Sequence, residues 1–173
     1  MSKLPKYLLK KLNKHLKFDG YTLIEILIGI VILSILFGIG FAGFRDFSRR
    51  QSLEVLARKV KGDLALIREK AISGEKPIEA VCSSPTNTLS GYSFSVINNK
   101  TYTISAICSG GNILVKQVEI PENLTISTPL PNPILFMVLS KGTNVSAETD
   151  IVVSQEESGM TFTITVTQTG EIK

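Results

Sequence analysis

The stretch from Tyr21 to Phe44 contains one charged residue, Glu25, and the nineteen residues after it carry no charge at all. At about 1.5 Å per residue it makes a helix of roughly 36 Å. That is enough to cross a hydrocarbon core of about 30 Å with some tilt, and too long for a secretory h-region of roughly 7–15 residues. A chain built this way divides into a membrane helix and whatever follows it. Glu25 then needs a reason. A carboxylate inside such a segment costs about 2–3 kcal/mol even on forgiving insertion scales, and intramembrane ionisable residues mark functional sites. One reading keeps the charge local: Glu25 lies one turn into the helix, reaches the headgroup layer and is favoured by the positive helix end. The other supplies it with a cationic partner.

The wording around Glu25 bears on that choice. Gly20-Tyr21-Thr22-Leu23-Ile24-Glu25, behind a basic leader, resembles the cleavage and methylation site of type IV prepilins and type II secretion pseudopilins. The resemblance implies that a prepilin peptidase and N-methyltransferase removes residues 1–20 in the cytoplasm and methylates the new amino terminus at Tyr21. It also implies that Glu25 meets the amino terminus of a neighbouring subunit as the subunit leaves the bilayer for a helical fibre. A pair at about 4 Å and an effective dielectric near 20 gains roughly 4 kcal/mol before desolvation. The segment departs from the family pattern in Tyr21, where phenylalanine is usual, in Asp19 beside the cut, in a rather long leader, and in lacking the proline of many major pilins.

The formal charge of +4 belongs to the leader, where six lysines (Lys3, Lys6, Lys10, Lys11, Lys14, Lys17) stand against Asp19. The remainder holds 13 Lys/Arg and 14 Asp/Glu, a net −1. Residues 45–76 carry nine Lys/Arg against five Asp/Glu, and residues 77–173 carry four against eight, so the outer domain is mildly acidic. Six cations after the span (Arg45, Arg49, Arg50, Arg58, Lys59, Lys61) match the six before it, and the positive-inside rule is nearly tied. The implied peptidase site places the leader in the cytoplasm and the carboxy-terminal domain outside it. Both cysteines, Cys82 and Cys108, fall in that exported part and suggest one disulfide, with two buried thiols as the alternative. Closing a loop of about 27 residues contributes roughly 3–4 kcal/mol in the chain-entropy model.

Within the span, Ser34, Gly38 and Ala42 recur every four residues, a small-residue stripe that lets helix backbones approach and serves as a candidate packing face between subunits. Beyond it, Leu53, Leu56, Val60, Leu64, Ile67 and Ala71 step by three or four, as one face of a helix does. The helix is therefore expected to run to about Ser73 and to stop at Gly74. From Pro77 the period changes to two. Tyr92, Phe94 and Val96, a turn at Asn98-Asn99, then Tyr102, Ile104 and Ala106 read as a hairpin. Met160, Phe162, Ile164 and Val166 make the clearest strand, pairing with residues 150–154 across Glu156-Glu157-Ser158-Gly159. Further strands are expected over 78–82, 114–120, 124–127 and 134–139, with Pro129, Pro131 and Pro133 marking the loop before the last.

The expected fold is α+β, with a long N-terminal helix, half transmembrane and half amphipathic, packed on an antiparallel β domain of seven or eight strands. The domain plan is a leader at 1–20, an assembly helix at 21–44, the exported half-helix at 45–74 and the β domain at 75–173. The run from Leu64 to Gly74, followed by an expected strand ending in Cys82, is similar to the GspH/FimT group of minor pseudopilins and minor pilins. The likeness covers residues 20–82 and continues only as a strand pattern.

Such a subunit implies as partners other pilin or pseudopilin subunits, the processing enzyme, an inner-membrane assembly platform, and membrane lipid before assembly. No cofactor and no metal site is expected. The only histidine, His15, lies in the leader, so a processed chain lacks the imidazole of a Ser-His or Cys-His pair or a His-rich zinc site. We therefore expect a structural subunit and no enzyme. Some FimT-type proteins bind DNA through an arginine-bearing carboxy-terminal segment. This chain ends Gly170-Glu171-Ile172-Lys173, in an acidic domain poorly suited to neutralising phosphates. Two alternatives remain from other classes: a DNA-binding minor pilin, and a single-pass anchored β module that binds a peptide or glycan and never polymerises.

Overall fold

The computed structural model describes residues 20–173; the leader residues before Gly20 lie outside them. The described residues divide into two units, with the boundary between Phe44 and Arg45. Helix α1, Leu23–Ser73, contributes to both. Its start is set by Thr22, whose Oγ1 accepts the Glu25 amide at 3.3 Å, while its carbonyl accepts Glu25 N at 3.1 Å and Ile26 N at 3.3 Å. Thr22 is thus an N-cap. Its end is a Schellman motif: Gly74 takes φ 66°, the Glu75 amide bonds the Lys70 carbonyl at 3.1 Å and the Gly74 amide bonds that of Ala71 at 3.2 Å. Only glycine adopts that conformation without strain, so the stop expected at Gly74 is the stop found.

In the outer unit every member of the predicted stripe is buried, from Leu53 and Leu56 through Val60, Leu64 and Ile67 to Ala71. These residues join one apolar cluster with the inward faces of two antiparallel sheets. The first sheet has the order β3-β2-β1-β5, built from β1 (Leu89–Asn98), β2 (Thr101–Cys108), β3 (Gly111–Glu119) and β5 (Ile134–Met137). The second has the order β4-β6-β7, from β4 (Leu124–Ile126), β6 (Thr149–Gln155) and β7 (Thr161–Val166). Seven strands after one long helix give the α+β fold expected.

Alternation places the core. Tyr92, Phe94 and Val96 of β1 lie opposite Ala106, Ile104 and Tyr102 of β2, and all six are buried. The rings of Phe94 and Tyr102 stack in a tilted arrangement with centroids 5.1 Å apart, a geometry favoured by the aromatic quadrupole. Gln155, Val153 and Ile151 of β6 do the same work in the second sheet beside Ile164 and Val166 of β7.

Two expectations are corrected. The hairpin turns at Asn99-Lys100, one residue later than Asn98-Asn99, because β1 carries an irregularity between Val96 and Asn98 and the Asn98 Oδ1 accepts the Lys100 amide at 2.8 Å. Residues 78–82 are not a strand. Helix α2, Ala80–Ser83, occupies that place as a single turn. Ile78, Val81 and Cys82 supply strand-like composition, but Pro77 and Pro85, which lack the N–H a ladder needs, bound the segment. One helical turn instead buries Cys82 and leaves Ile78 exposed.

Candidate functional site

The amino-terminal unit presents its motif in the open. Gly20, Tyr21, Thr22, Leu23, Ile24 and Glu25 are all exposed. A Cβ on Gly20 would meet nothing within 4 Å, so no packing among the described residues requires glycine there. The Glu25 carboxylate has no ion pair or hydrogen bond among the described residues; only its backbone amide is engaged, by the Thr22 cap. The large apolar side chains from Leu23 to Phe44 are exposed, and α1 is, among the described residues, the one helix long and apolar enough to cross a membrane. Ser34 returns its hydroxyl to the Ile30 carbonyl at 2.8 Å, which satisfies the group without a partner helix. A Cβ on Gly38 also has open space. The side chain of Ala42 lies outside the described ones.

These features coincide with a known signature. Residues 16–41 match the model of the prokaryotic N-terminal methylation motif. No curated protein and no solved structure matches the chain significantly. The methylation motif covers the Gly20–Glu25 sequence and most of the apolar run, and it supports a type IV pilin-like prepilin processed by a peptidase. With the exposed apolar helix behind it, the motif suits a membrane-anchored pilin-like chain.

The outer unit supplies the scaffold, and here side chains that the apolar pattern passed over hold it together. Asp63, 7% exposed on the helix face beside Leu64, accepts the Tyr102 hydroxyl at 2.8 Å and the Lys116 ammonium at 2.7 and 2.9 Å. Burial pushes the Tyr102 hydroxyl far above its ordinary pKa, and the Asp63 hydrogen bond pushes the same way. The helix is thereby tied to β2 and to the edge strand β3. Lys100, at the hairpin tip of the first sheet, donates to the Leu124 carbonyl at 2.9 Å, to the Glu156 carboxylate at 2.7 Å and to the Glu122 carbonyl, linking it to the second. Arg49 of the helix pairs with Glu157 in the β6–β7 turn. Glu156 and Glu157, the first two residues of the expected turn, both have cationic partners.

Cys82 and Cys108 form a disulfide with Cα atoms 5.6 Å apart, fastening the α2 connector to the end of β2. At the helix end, the Glu75 hydrogen bond raises the Lys70 pKa, and burial raises that of Tyr92, whose hydroxyl donates to the Glu75 carbonyl at 2.6 Å. A groove of about 450 Å³ lies in this unit between helix residues Ser52, Val55 and Lys59 and, across from them, Glu119 at the end of β3 and the loop residues Pro121 and Asn123. Among the described residues no three His, Cys, Asp or Glu side chains gather as a metal site.

Proposed function

We propose that this chain is a minor pilin or pseudopilin of the GspH/FimT kind, a structural subunit of a type IV pilus or a type II secretion pseudopilus. The observation that carries the reading is the methylation motif over residues 16–41, placed directly on an exposed apolar helix that leads into a helix-plus-β domain. The peptidase cuts after Gly20, and the N-methylated Tyr21 becomes the first residue. Processing also discards the leader's six lysines and the chain's single histidine. The subunit waits in the inner membrane with its β domain outside the cytoplasm, in contact with lipid and the assembly platform.

Glu25 carries the assembly step. In the bilayer its carboxylate lacks a counter-ion; in the fibre the Tyr21 amine of a neighbouring subunit supplies one. The pair gains roughly 4 kcal/mol at about 4 Å before desolvation, whereas the unpaired carboxylate costs about 2–3 kcal/mol in the bilayer, so the charge favours the assembled state. The open space beside Gly38 and the internally satisfied Ser34 support the Ser34, Gly38, Ala42 stripe as a face for close helix approach. Among the described residues nothing packs against Gly20, which supports a role in recognition by the processing enzyme. The buried stripe from Leu53 to Ala71 seats the β domain, and Cys82–Cys108 braces it.

Mass measurement of the amino-terminal peptide tests this reading. A peptide beginning at Tyr21 and heavier by one methyl group is expected. Exported material that still begins at Met1 sinks the proposal and favours an anchored module that never polymerises.

A further inference from the structure

The apolar run ends at Phe44, and residues 45–61, immediately after it, carry six Lys/Arg against two Asp/Glu. The structure sorts these cations. Arg49 is shared between Asp46, at 3.8 Å, and Glu157; Arg58 is held by Glu54 at 3.2 Å. Arg45 and Arg50, the other two guanidiniums next to the apolar run, are exposed and have no carboxylate partner among the described residues. Phe47 lies between them in sequence, 64% exposed, and lines with Arg50, Gln51, Val55 and the paired Glu54 and Arg58 a shallow groove of about 270 Å³ on the helix surface. Free guanidiniums and an exposed aromatic at the edge of an apolar segment match a headgroup layer. The guanidinium fork fits phosphate oxygens bidentately, and aromatic rings settle at the boundary between headgroups and acyl chains.

We propose that Arg45 and Arg50, with Phe47 between them, bind the phosphates of anionic phospholipids and hold the unassembled subunit at the exported face of the membrane. The proposal rests on the membrane reading of residues 21–44. It gives the collar a role that processing exposes. Before cleavage six leader lysines sit on the opposite side of the span; after it, every Lys and Arg side chain flanking the apolar run is on the exported side. The β domain cannot supply this attraction, because residues 77–173 hold four Lys/Arg against eight Asp/Glu. Each cation near an anionic surface contributes about 1 kcal/mol, so the two arginines together favour an anionic lipid over a zwitterionic one by about 30-fold. The interaction is screened by salt.

The test uses the full chain in nanodiscs with equal amounts of phosphatidylglycerol and phosphatidylcholine. Lipids still bound on release are counted by native mass spectrometry. Phosphatidylglycerol should be enriched by about 30-fold, and Arg45→Gln with Arg50→Gln should bring the ratio close to one. Arg68→Gln, which removes an exposed guanidinium about five helical turns beyond Arg50 on α1, should leave it unchanged. Equal adducts in the unmodified chain, or an enrichment that survives the double substitution, overturns the proposal. So does capture of duplex DNA by the chain in phosphatidylcholine alone that the double substitution abolishes. The amino-terminal mass is read from the same sample: loss of enrichment in a chain that begins at N-methyl-tyrosine sinks the lipid site alone, whereas a chain beginning at Met1 sinks the pilin reading.

Discussion

Removing the Lys116 ammonium should destabilise the outer unit more than removing the whole ion pair. The Asp63 side chain is 10% exposed and that of Lys116 is 40% exposed, so water reaches one partner far more readily than the other. Lys116→Met leaves a carboxylate on the core side of the helix with only the Tyr102 hydroxyl to satisfy it. Breaking a fully buried pair costs about 3–5 kcal/mol; the exposure of Lys116 lowers the expected loss to about 2 kcal/mol. Asp63→Ala orphans the Tyr102 hydroxyl, a penalty of about 1–3 kcal/mol, and is expected to cost about 2–3 kcal/mol in total. Asp63→Leu combined with Lys116→Met removes both charges and fills the space with apolar atoms but leaves the Tyr102 hydroxyl unpaired, so it should cost about 1 kcal/mol, less than Lys116→Met alone. The pair coupling, from the cycle closed with Asp63→Leu alone at about 2 kcal/mol, should come to about 3 kcal/mol.

Urea unfolding of the full chain in detergent, followed by tyrosine fluorescence, gives each value from the shift in midpoint at constant slope. Leu64→Ala, a cavity in the same turn, provides the scale at about 2–5 kcal/mol. If Asp63→Ala falls within about 0.5 kcal/mol of the unmodified chain, or the coupling is zero, the claim that this triad fixes the helix against β2 and β3 is wrong.

Replacing both Cys82 and Cys108 by serine should lower stability by about 3 kcal/mol, and a reductant should do the same to the unmodified chain while leaving the double variant unaffected; equal midpoints with and without reductant would contradict this. Tyr102 and Tyr92 have folded pKa values raised above the ordinary 10.0, so the stability they contribute is complete below about pH 10 and is lost as pH rises beyond it. Melting temperatures taken across that range should fall less steeply for Tyr102→Phe than for the unmodified chain. Leu139 is exposed and held at φ 58°, a left-handed conformation that costs a non-glycine residue roughly 1–2 kcal/mol. Leu139→Asn should raise the urea midpoint by the equivalent of up to about 1 kcal/mol, and a lower midpoint would count against strain at that turn.

What was legible in the sequence follows from which interactions leave a period. The stripe from Leu53 to Ala71 repeats with the helix turn and is buried throughout; Tyr92, Phe94 and Val96 alternate and face the core. Gly74 was legible because one residue type suits a positive φ at a helix end. The connector at 78–82 was misread because a few apolar residues between prolines carry too little pattern to tell a strand from one helical turn. Asp63 left no signal: a carboxylate beside Leu64 looks like a solvated position until Tyr102 and Lys116, far along the chain, close over it. The same holds for Lys100 and Arg49, whose partners lie in other strands and turns. At the amino terminus the motif was readable letter by letter, yet the role of Thr22 as a cap appears only with the helix start.

That cap sharpens what Glu25 contributes. Thr22-x-x-Glu25 has the spacing of a capping box, so the carboxylate sits at the end of the helix where unpaired amides and the positive end of the dipole gather. This placement offsets about 0.3–1 kcal/mol of its cost in the bilayer, against roughly 4 kcal/mol offered by a neighbour's ammonium at about 4 Å. The driving force for assembly is the difference, and it depends on charge, whereas the cap depends on Thr22 and on the Glu25 backbone amide. Glu25→Gln and Thr22→Ala therefore separate the two. The glutamine variant should keep the helix start and its membrane insertion, yet assemble much more slowly into fibres; Thr22→Ala should fray the first turn while leaving the charge for its partner. Fibre yield per unit of membrane-inserted, processed subunit measures both, and a glutamine variant that assembles at the unmodified rate would show that the carboxylate needs no cation at all.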